Sequence, residues 1–523
     1  MPTWVAALAF LAANLGAQEV IGMCASGAKY GLITAHFNWA GAAPAMLFVG
    51  VFMAPFPYGS RARSVPECLK LRFDEKPRAF NAVAFAALTV VRSGISMYAV
   101  GLLFQLVLGG SFTASILLSA VTVLLYTLLG RLSSAIYNEV LQVFRIVIGL
   151  SPLAFLAVER AGGWEAMAPR LLEVMTHTRQ YRGEASANPT GVEIFGQRAG
   201  LASVLSFSYW WTDFLVILRV MAARSMEAAR RVPLLAAFLK MIMPWVVIPP
   251  GIAAPALNQV DPGFQLPMKG ASANDDQTLT TLKARFYPPG LLALGVTALF
   301  ASFMSGMAGQ VTAFNTVFTD DLYQGYLQRD ASDAHYRSAA RSTSVWGIGL
   351  SIATAYLAQQ FNNLMDFLQP LFGFVNAPLF ATFLIGMFWK RATGDGAFWG
   401  LLLGTLSAAL THGLNVAEGK GGWLAVVHQF PSTMAQNFWI AVFAWTACFL
   451  VTMGVSWMTT PKSPAELNSL VFGLTLRSPE DSSPAYLRPA PWALAVLAVL
   501  TLLKVLCWWP QWFASLQPPA AST

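Results

Sequence analysis

Read along the chain, apolar residues gather into runs of about 20, the length that crosses a bilayer as a helix, separated by short polar or proline- and glycine-rich connections. Assigning one helix to each run predicts thirteen spans, at roughly 3–29, 34–56, 80–107, 112–132, 138–159, 198–221, 233–256, 287–318, 342–360, 366–389, 395–414, 435–457 and 491–513. Two runs break the pattern. "FLAANLGAQEVIGMCASGAKYGL", Phe10 to Leu32, carries Asn14, Gln18 and Glu19 in its middle with Gly16 and Gly22 around them, and "SVLSFSYWWTDFLVILRV" places Ser206, Ser208, Thr212 and Asp213 inside an apolar run. A carboxylate at bilayer depth costs at least about 2.5–3.5 kcal/mol, so it is paired, faces a cavity or serves a function.

Polar interruptions in two spans about two hundred residues apart point to a secondary transporter built from inverted halves, where unwound backbone frees carbonyls and amides for a solute and an ion. The expected fold is therefore an all-α polytopic membrane protein with a five-plus-five inverted-repeat core and broken first and sixth helices. Residues 1–160 and 198–392 would form the two repeats, and residues 393–523 would add peripheral C-terminal helices.

Composition agrees. With 56% hydrophobic and 11% charged residues in 523, the chain holds more apolar surface than a soluble core hides, which excludes a large soluble enzyme. The net charge of +8 is then read as topology rather than as a nucleic-acid surface. With the N-terminus inside, the inner loops hold 19 Lys and Arg and the outer ones 10, while Arg92, Arg145, Lys240 and Lys504 fall within spans. That asymmetry favours a cytoplasmic N-terminus and an external C-terminus.

Cys24, Cys68, Cys448 and Cys507 show no CxxC spacing and imply neither a disulfide framework nor a metal site. The first run lacks a basic n-region and reads as retained in the mature chain. No GxxxxGK[ST] is present to cradle phosphates, so uphill work would draw on an ion gradient. The histidines lack zinc-ligand spacing and no Ser/His/Asp order stands out, so no enzymatic activity and no cofactor are expected.

Seven ordered stretches then carry a resemblance. They are "AANLGAQEVIGMCASGAKYGL", "SVPECLKLRF", "YTLLGRLSSAIYNEVLQ", "YWWTDFLVILRVMAARSMEAARR", "LAAFLKMIMPWVVIPPGIA", "SFMSGMAGQVTAFNTVFTDDLYQGY" and "LMDFLQPLFGFVNAPLFATFLIGMFWKR". In order and spacing the chain resembles the sodium/solute symporter family, the group that contains the sodium/glucose cotransporters, from its first span to about Leu414. The family's usual helix ahead of the first core span has no counterpart here; either this member starts inside the cell or its start is assigned too late.

The resemblance implies a sodium ion held between the first and eighth core helices by main-chain carbonyls at Ala12, Leu15 and Ser302 and by the Ser305 hydroxyl. Positions 302, 305, 306 and 309 share one helical face, and a hard cation takes oxygen ligands. Gly306 stands where the family places a second hydroxyl, which leaves three readings open: a weaker sodium site completed by water, proton coupling through an acid, or an uncoupled carrier or sensor. Close packing of small residues would produce the same serine-glycine face without any ion. Glu139 in "AIYNEVLQ" matches an acidic position near the family's ion exit path, and an interfacial pairing with Arg145 or Arg131 is the alternative.

For the solute, the resemblance assigns Glu19, Asn38, Asp213, Lys240 and Gln369, of which Lys240 and Gln369 agree in type with the sugar carriers. The set mixes donors and acceptors, as a polyhydroxylated solute requires. Its carboxylates would equally hold an amine, or pair internally with Lys240 and Arg92. Tyr209, Trp210 and Trp211 would stack on a sugar face or pack in the membrane, while Trp508, Trp509 and Trp512 read as an interfacial belt. Asp320, Asp321 and Tyr323 would form an inner structural contact.

The expected function is thus sodium-coupled symport of a small polar organic solute, most simply a sugar or polyol, in a cell (inner) membrane. Its partners would be the solute, sodium and the lipid bilayer, with no nucleic acid and no obligate protein partner. The alternatives are a proton-coupled or uncoupled carrier of an amine or carboxylate solute, or a transporter-derived sensor, whose usual signalling domain the ten or so residues after Trp512 do not supply.

Overall fold

The computed structural model describes residues 2–56, 62, 64–129, 132–163, 195–261, 263–269, 272–361, 363–467, 470–474 and 488–508. The side chains of residues 32, 106–108, 126, 129, 132–138, 272, 305, 473 and 506–508 lie outside that description.

Apolar stretches become helices throughout. The first, α1 (Thr3–Asn14), stops where Leu15 (ψ 45°) and Gly16 (φ −68°, ψ 160°) leave helical geometry, and α2 (Ala17–Tyr30) resumes at a bend of 61°. After α3 (Ile33–Met53) and the short α4 (Val65–Arg72) come α5 (Glu75–Leu108), α6 (Phe112–Leu129) and α7 (Leu132–Arg160). The second break separates α8 (Gly196–Thr212) from α9 (Phe214–Met221), bent by 54° at the extended Asp213. The Asp213 carboxylate accepts the Leu215 N–H at 3.0 Å, the N-cap that starts the inner segment afresh.

The second half continues with α10 (Met226–Val260), α11 (Thr278–Phe286), α12 (Pro289–Leu327), α13 (Asp333–Ala358) and α14 (Leu364–Phe388). Then follow α15 (Gly394–Leu414), α16 (Thr433–Met458) and α17 (Pro489–Trp508). Among the described residues, eight helices are long and apolar enough to span, or ten spans counting each bent pair as one, so the expected count of thirteen is not reproduced. Helices occupy all thirteen expected positions, but Phe112–Leu125 and Pro489–Val505 are short, and α13 begins with the polar "DAHYRSAARSTS". Trp509 and Trp512 of the expected belt, and the Trp508 side chain, lie outside the described residues.

Packing repeats when the halves are exchanged. The broken α1 lies against α7 as the broken α8 lies against α14; α5 meets α13 as α12 meets α6; and α12 meets α7 as α5 meets α14. Small residues permit close crossings: a Cβ on Gly251 of α10 would lie 2.1 Å from the Cys24 carbonyl oxygen of α2.

The α15–α16 pair packs against α14. Where α14 ends, buried Arg72 of α4 donates to the carbonyls of Gly386 (2.6 Å), Trp389 (3.0 Å) and Ala392 (3.2 Å), and burial lowers the pKa of its guanidinium to about 10. A cation on the free carbonyls of a helix C-terminus is a favourable cap.

Candidate functional site

A cavity of about 640 Å³ gross empty volume, open solvent included, lies beside both helix breaks. Glu19, Asn38, Lys240 and Gln369 all line it, so four of the five expected solute contacts come together. Asp213 does not. It is fully buried and pairs with Arg92 of α5, which itself lines the cavity. The Arg92 guanidinium sits 5.4 Å from the Tyr209 ring centroid and 5.3 Å from that of Phe372, so two aromatic faces hold it in place.

The second ion pair crosses the same space. Lys240 Nζ donates to Glu19 Oε1 and to Asn14 Oδ1, and Asn14 Nδ2 in turn donates to the Tyr209 hydroxyl at 2.8 Å. Each carboxylate at the breaks therefore has its own cation. The Gln369 carboxamide is buried and, among the described residues, has no partner for either its nitrogen or its oxygen. Tyr209 and Trp210 line the cavity, with Phe10 stacked on Trp210 at 5.4 Å, whereas Trp211 packs against Phe48 and Phe380.

The cation positions also meet. The Leu15 N–H bonds to the Ala12 carbonyl at 3.0 Å, and the Ser302 hydroxyl of α12 donates to the Leu15 carbonyl. Ala12, Leu15 and Ser302 are all buried. Ser305 keeps its place on α12, but its side chain lies outside the described residues. At Gly306 an added Cβ would lie 3.1 Å from the Gly16 Cα. The missing second hydroxyl thus has a packing reason: two glycine backbones meet where that side chain would stand.

Among the described residues Glu139 is not paired with Arg145, and Arg131 lies outside them. Glu139 is buried and pairs with Arg219 of α9, whose Nη1 also donates to the Leu215 carbonyl at 2.7 Å. This ties α7 to the segment that Asp213 caps. Asp321 pairs with Arg78 at 3.1 Å, and the Tyr323 hydroxyl meets His335 Nε2 at 2.9 Å.

Comparison with known proteins fits this geometry. The model of the sodium:solute symporter family matches residues 1–404. The chain belongs to that family. It is 28% identical to the sodium/glucose cotransporter of Vibrio parahaemolyticus over 414 residues, covering 77% of this chain and 76% of that one. It is 25% identical to sodium/glucose cotransporter 1 of Oryctolagus cuniculus over 502 residues, covering 91% and 75%. Its fold matches a Na+-coupled sialic acid symporter with a TM-score of 0.72 at 18% identity, over 88% of this chain and 91% of that one.

Against the family pattern, the sequence reading missed Arg92, Asn14 and Phe372 as cavity walls. A charged residue within an apolar run was signal enough for Arg92. Phe372 had none, since an aromatic on an apolar helix reads as ordinary packing.

Proposed function

We propose that the chain carries a sugar or polyol into the cell by sodium-coupled symport across the cell (inner) membrane, with the cavity as the solute site. The observation that carries this reading is the Gln369 carboxamide, which lines the cavity with one donor side and one acceptor side unmatched. A hydroxyl both donates and accepts, so a polyol matches such a group, and leaving it bare costs about 1–3 kcal/mol. The names of the sodium/glucose relatives support the same class.

In this reading Lys240, Glu19 and Asn38 surround the solute with Gln369, and Asp213 acts through Arg92. Both carboxylates at the breaks are already paired with cations, which disfavours an amine solute. Sodium would enter as co-substrate among Ala12, Leu15, Ser302 and Ser305, joining the unwound end of α1 to α12 and so favouring one of the two alternating states. Glu139 with Arg219 would close the inner path, and the repeats 1–160 and 198–392 would move against one another with 393–523 as a peripheral frame.

The test is uptake of labelled sugars and polyols by vesicles containing the purified chain. An inward sodium gradient should drive accumulation of the right solute. Equal uptake with choline in place of sodium at fixed pH rejects sodium coupling, and no uptake of any polyhydroxylated solute rejects the solute class.

A further inference from the structure

We propose that Gln18, Ser96 and Gln310 form a second site for an alkali cation, between α2, α5 and α12. The three side chains are 5%, 1% and 1% exposed. Ser96 Oγ lies 3.1 Å from Gln18 Oε1 and 3.4 Å from Gln310 Oε1. A hydroxyl has a single hydrogen to donate. Two carboxamide oxygens therefore converge on one hydroxyl, and three oxygens meet in a buried place.

A cation satisfies all three oxygens at once. A hard cation about 2.3–2.6 Å from its oxygens holds ligands at right angles about 3.3–3.7 Å apart, close to the separations seen here. The donors are neutral amide and hydroxyl oxygens, which suits a singly charged ion better than a divalent one. Among the described residues no group of three His, Cys, Asp or Glu side chains is arranged to hold a metal ion. Charge nearby is balanced, since Arg92, one turn from Ser96, is paired with Asp213, and Lys240 with Glu19.

The ion has a way in. Gln18 lines the solute cavity, so water or the solute itself completes the coordination from that side. Gln310 stands two turns beyond Ser302 on α12, about 12 Å along the axis, so this site is separate from the Ala12–Leu15–Ser302 contacts. A cation on the cavity wall raises affinity for a solute oxygen placed beside it, and the solute does the same for the cation. The competing arrangement turns one carboxamide so that its NH2 meets Ser96, and it needs no ion.

The experiment counts radioactive sodium bound per chain at saturation on the purified protein, for the native chain, Ser96→Ala, Gln310→Met, Ser305→Ala and the Ser96→Ala/Ser305→Ala double variant. Melting in choline confirms that each is folded, and Ser96→Thr, which keeps a hydroxyl, serves as the rescue. The inference expects two ions on the native chain, one on each of Ser96→Ala, Gln310→Met and Ser305→Ala, two on Ser96→Thr and none on the double variant. Native stoichiometry of one ion, unchanged in Ser96→Ala and lost in Ser305→Ala, overturns the second site and leaves the proposed function standing. One ion lost in Ser96→Ala but kept in Ser305→Ala supports the site and removes sodium from the Ser305 position. No sodium bound by the native chain overturns both.

Discussion

Arg92 on α5 is paired with Asp213 at the break between α8 and α9, and the two side chains are only 3% and 0% exposed. The pair joins the unwound point of one broken helix to a straight neighbour and presents the guanidinium to the solute cavity. Removing one partner of a buried pair leaves an unmatched charge in a dry place, which costs about 3–5 kcal/mol. Asp213→Asn should therefore unfold at markedly lower temperature, and Arg92→Gln added to it should recover part of the loss. Melting curves of the two single variants and the double variant check this; a double variant less stable than Asp213→Asn by the full Arg92→Gln effect would show that the two residues are not coupled.

Gly306 and Gly16 bring α12 and the break of the first span into backbone contact: a Cβ added to Gly306 would stand 3.1 Å from the Gly16 Cα. Gly306→Ser supplies the hydroxyl that the family pattern lacks here, yet it must push the two segments apart. Overpacking of this kind costs about 1–3 kcal/mol. The expected result is lower thermal stability with no fall in the sodium concentration that gives half-maximal stabilisation. A sodium requirement that drops several-fold in the serine variant would show that the hydroxyl, not the close approach, is what the site lacks.

How far the sequence led depends on what each residue type announces. Both breaks were legible because Asn14, Gln18 and Glu19, and later Asp213, are polar groups in runs that lipid or packing would otherwise fill. Four of the five expected solute contacts share one cavity because the resemblance fixed their helices and faces. Pairing of the carboxylates at the breaks with Lys240 and Arg92 was one of the readings the sequence left open, and both pairs form, but the partner of Glu139 was not legible. Whether Glu139 meets Arg131, Arg145 or Arg219 depends on how α7 packs on α9, a long-range contact that no local spacing encodes. The number of spans failed where hydropathy is marginal: α13 opens on charged and hydroxyl residues, and composition alone does not say how deep its first turns lie.

Gln369 offers the most direct test of the solute reading. Among the described residues its amide nitrogen and oxygen have no partner, so no hydrogen bond described in the fold depends on them. Gln369→Ala should raise the half-saturating solute concentration about 5- to 150-fold, the equivalent of about 1–3 kcal/mol, while the melting temperature without solute stays level or rises. Uptake kinetics beside melting curves separate the two effects. Unchanged affinity in a folded variant would remove Gln369 from the solute site.

Lys283 carries the clearest pH dependence. It lies on α11, outside the spans, buried with its Nζ donating to the Gly295 carbonyl at 2.8 Å and with the Cys24 thiol nearby. Burial pushes its pKa down to about 7 from an ordinary 10.5. Between those values the unfolded chain holds the proton and the folded chain releases it, so stability rises with pH across that window and is flat below about 7. Lys283→Met removes the buried ammonium and loses one hydrogen bond, which is worth about 1 kcal/mol. The variant should melt above the native protein at pH 6.5, and the difference should shrink as the pH rises, closing to within about 1 kcal/mol near pH 9.5. Melting both proteins across that range decides the sign, and a native chain that loses stability relative to the variant on going from pH 7 to 9.5 would refute the assignment.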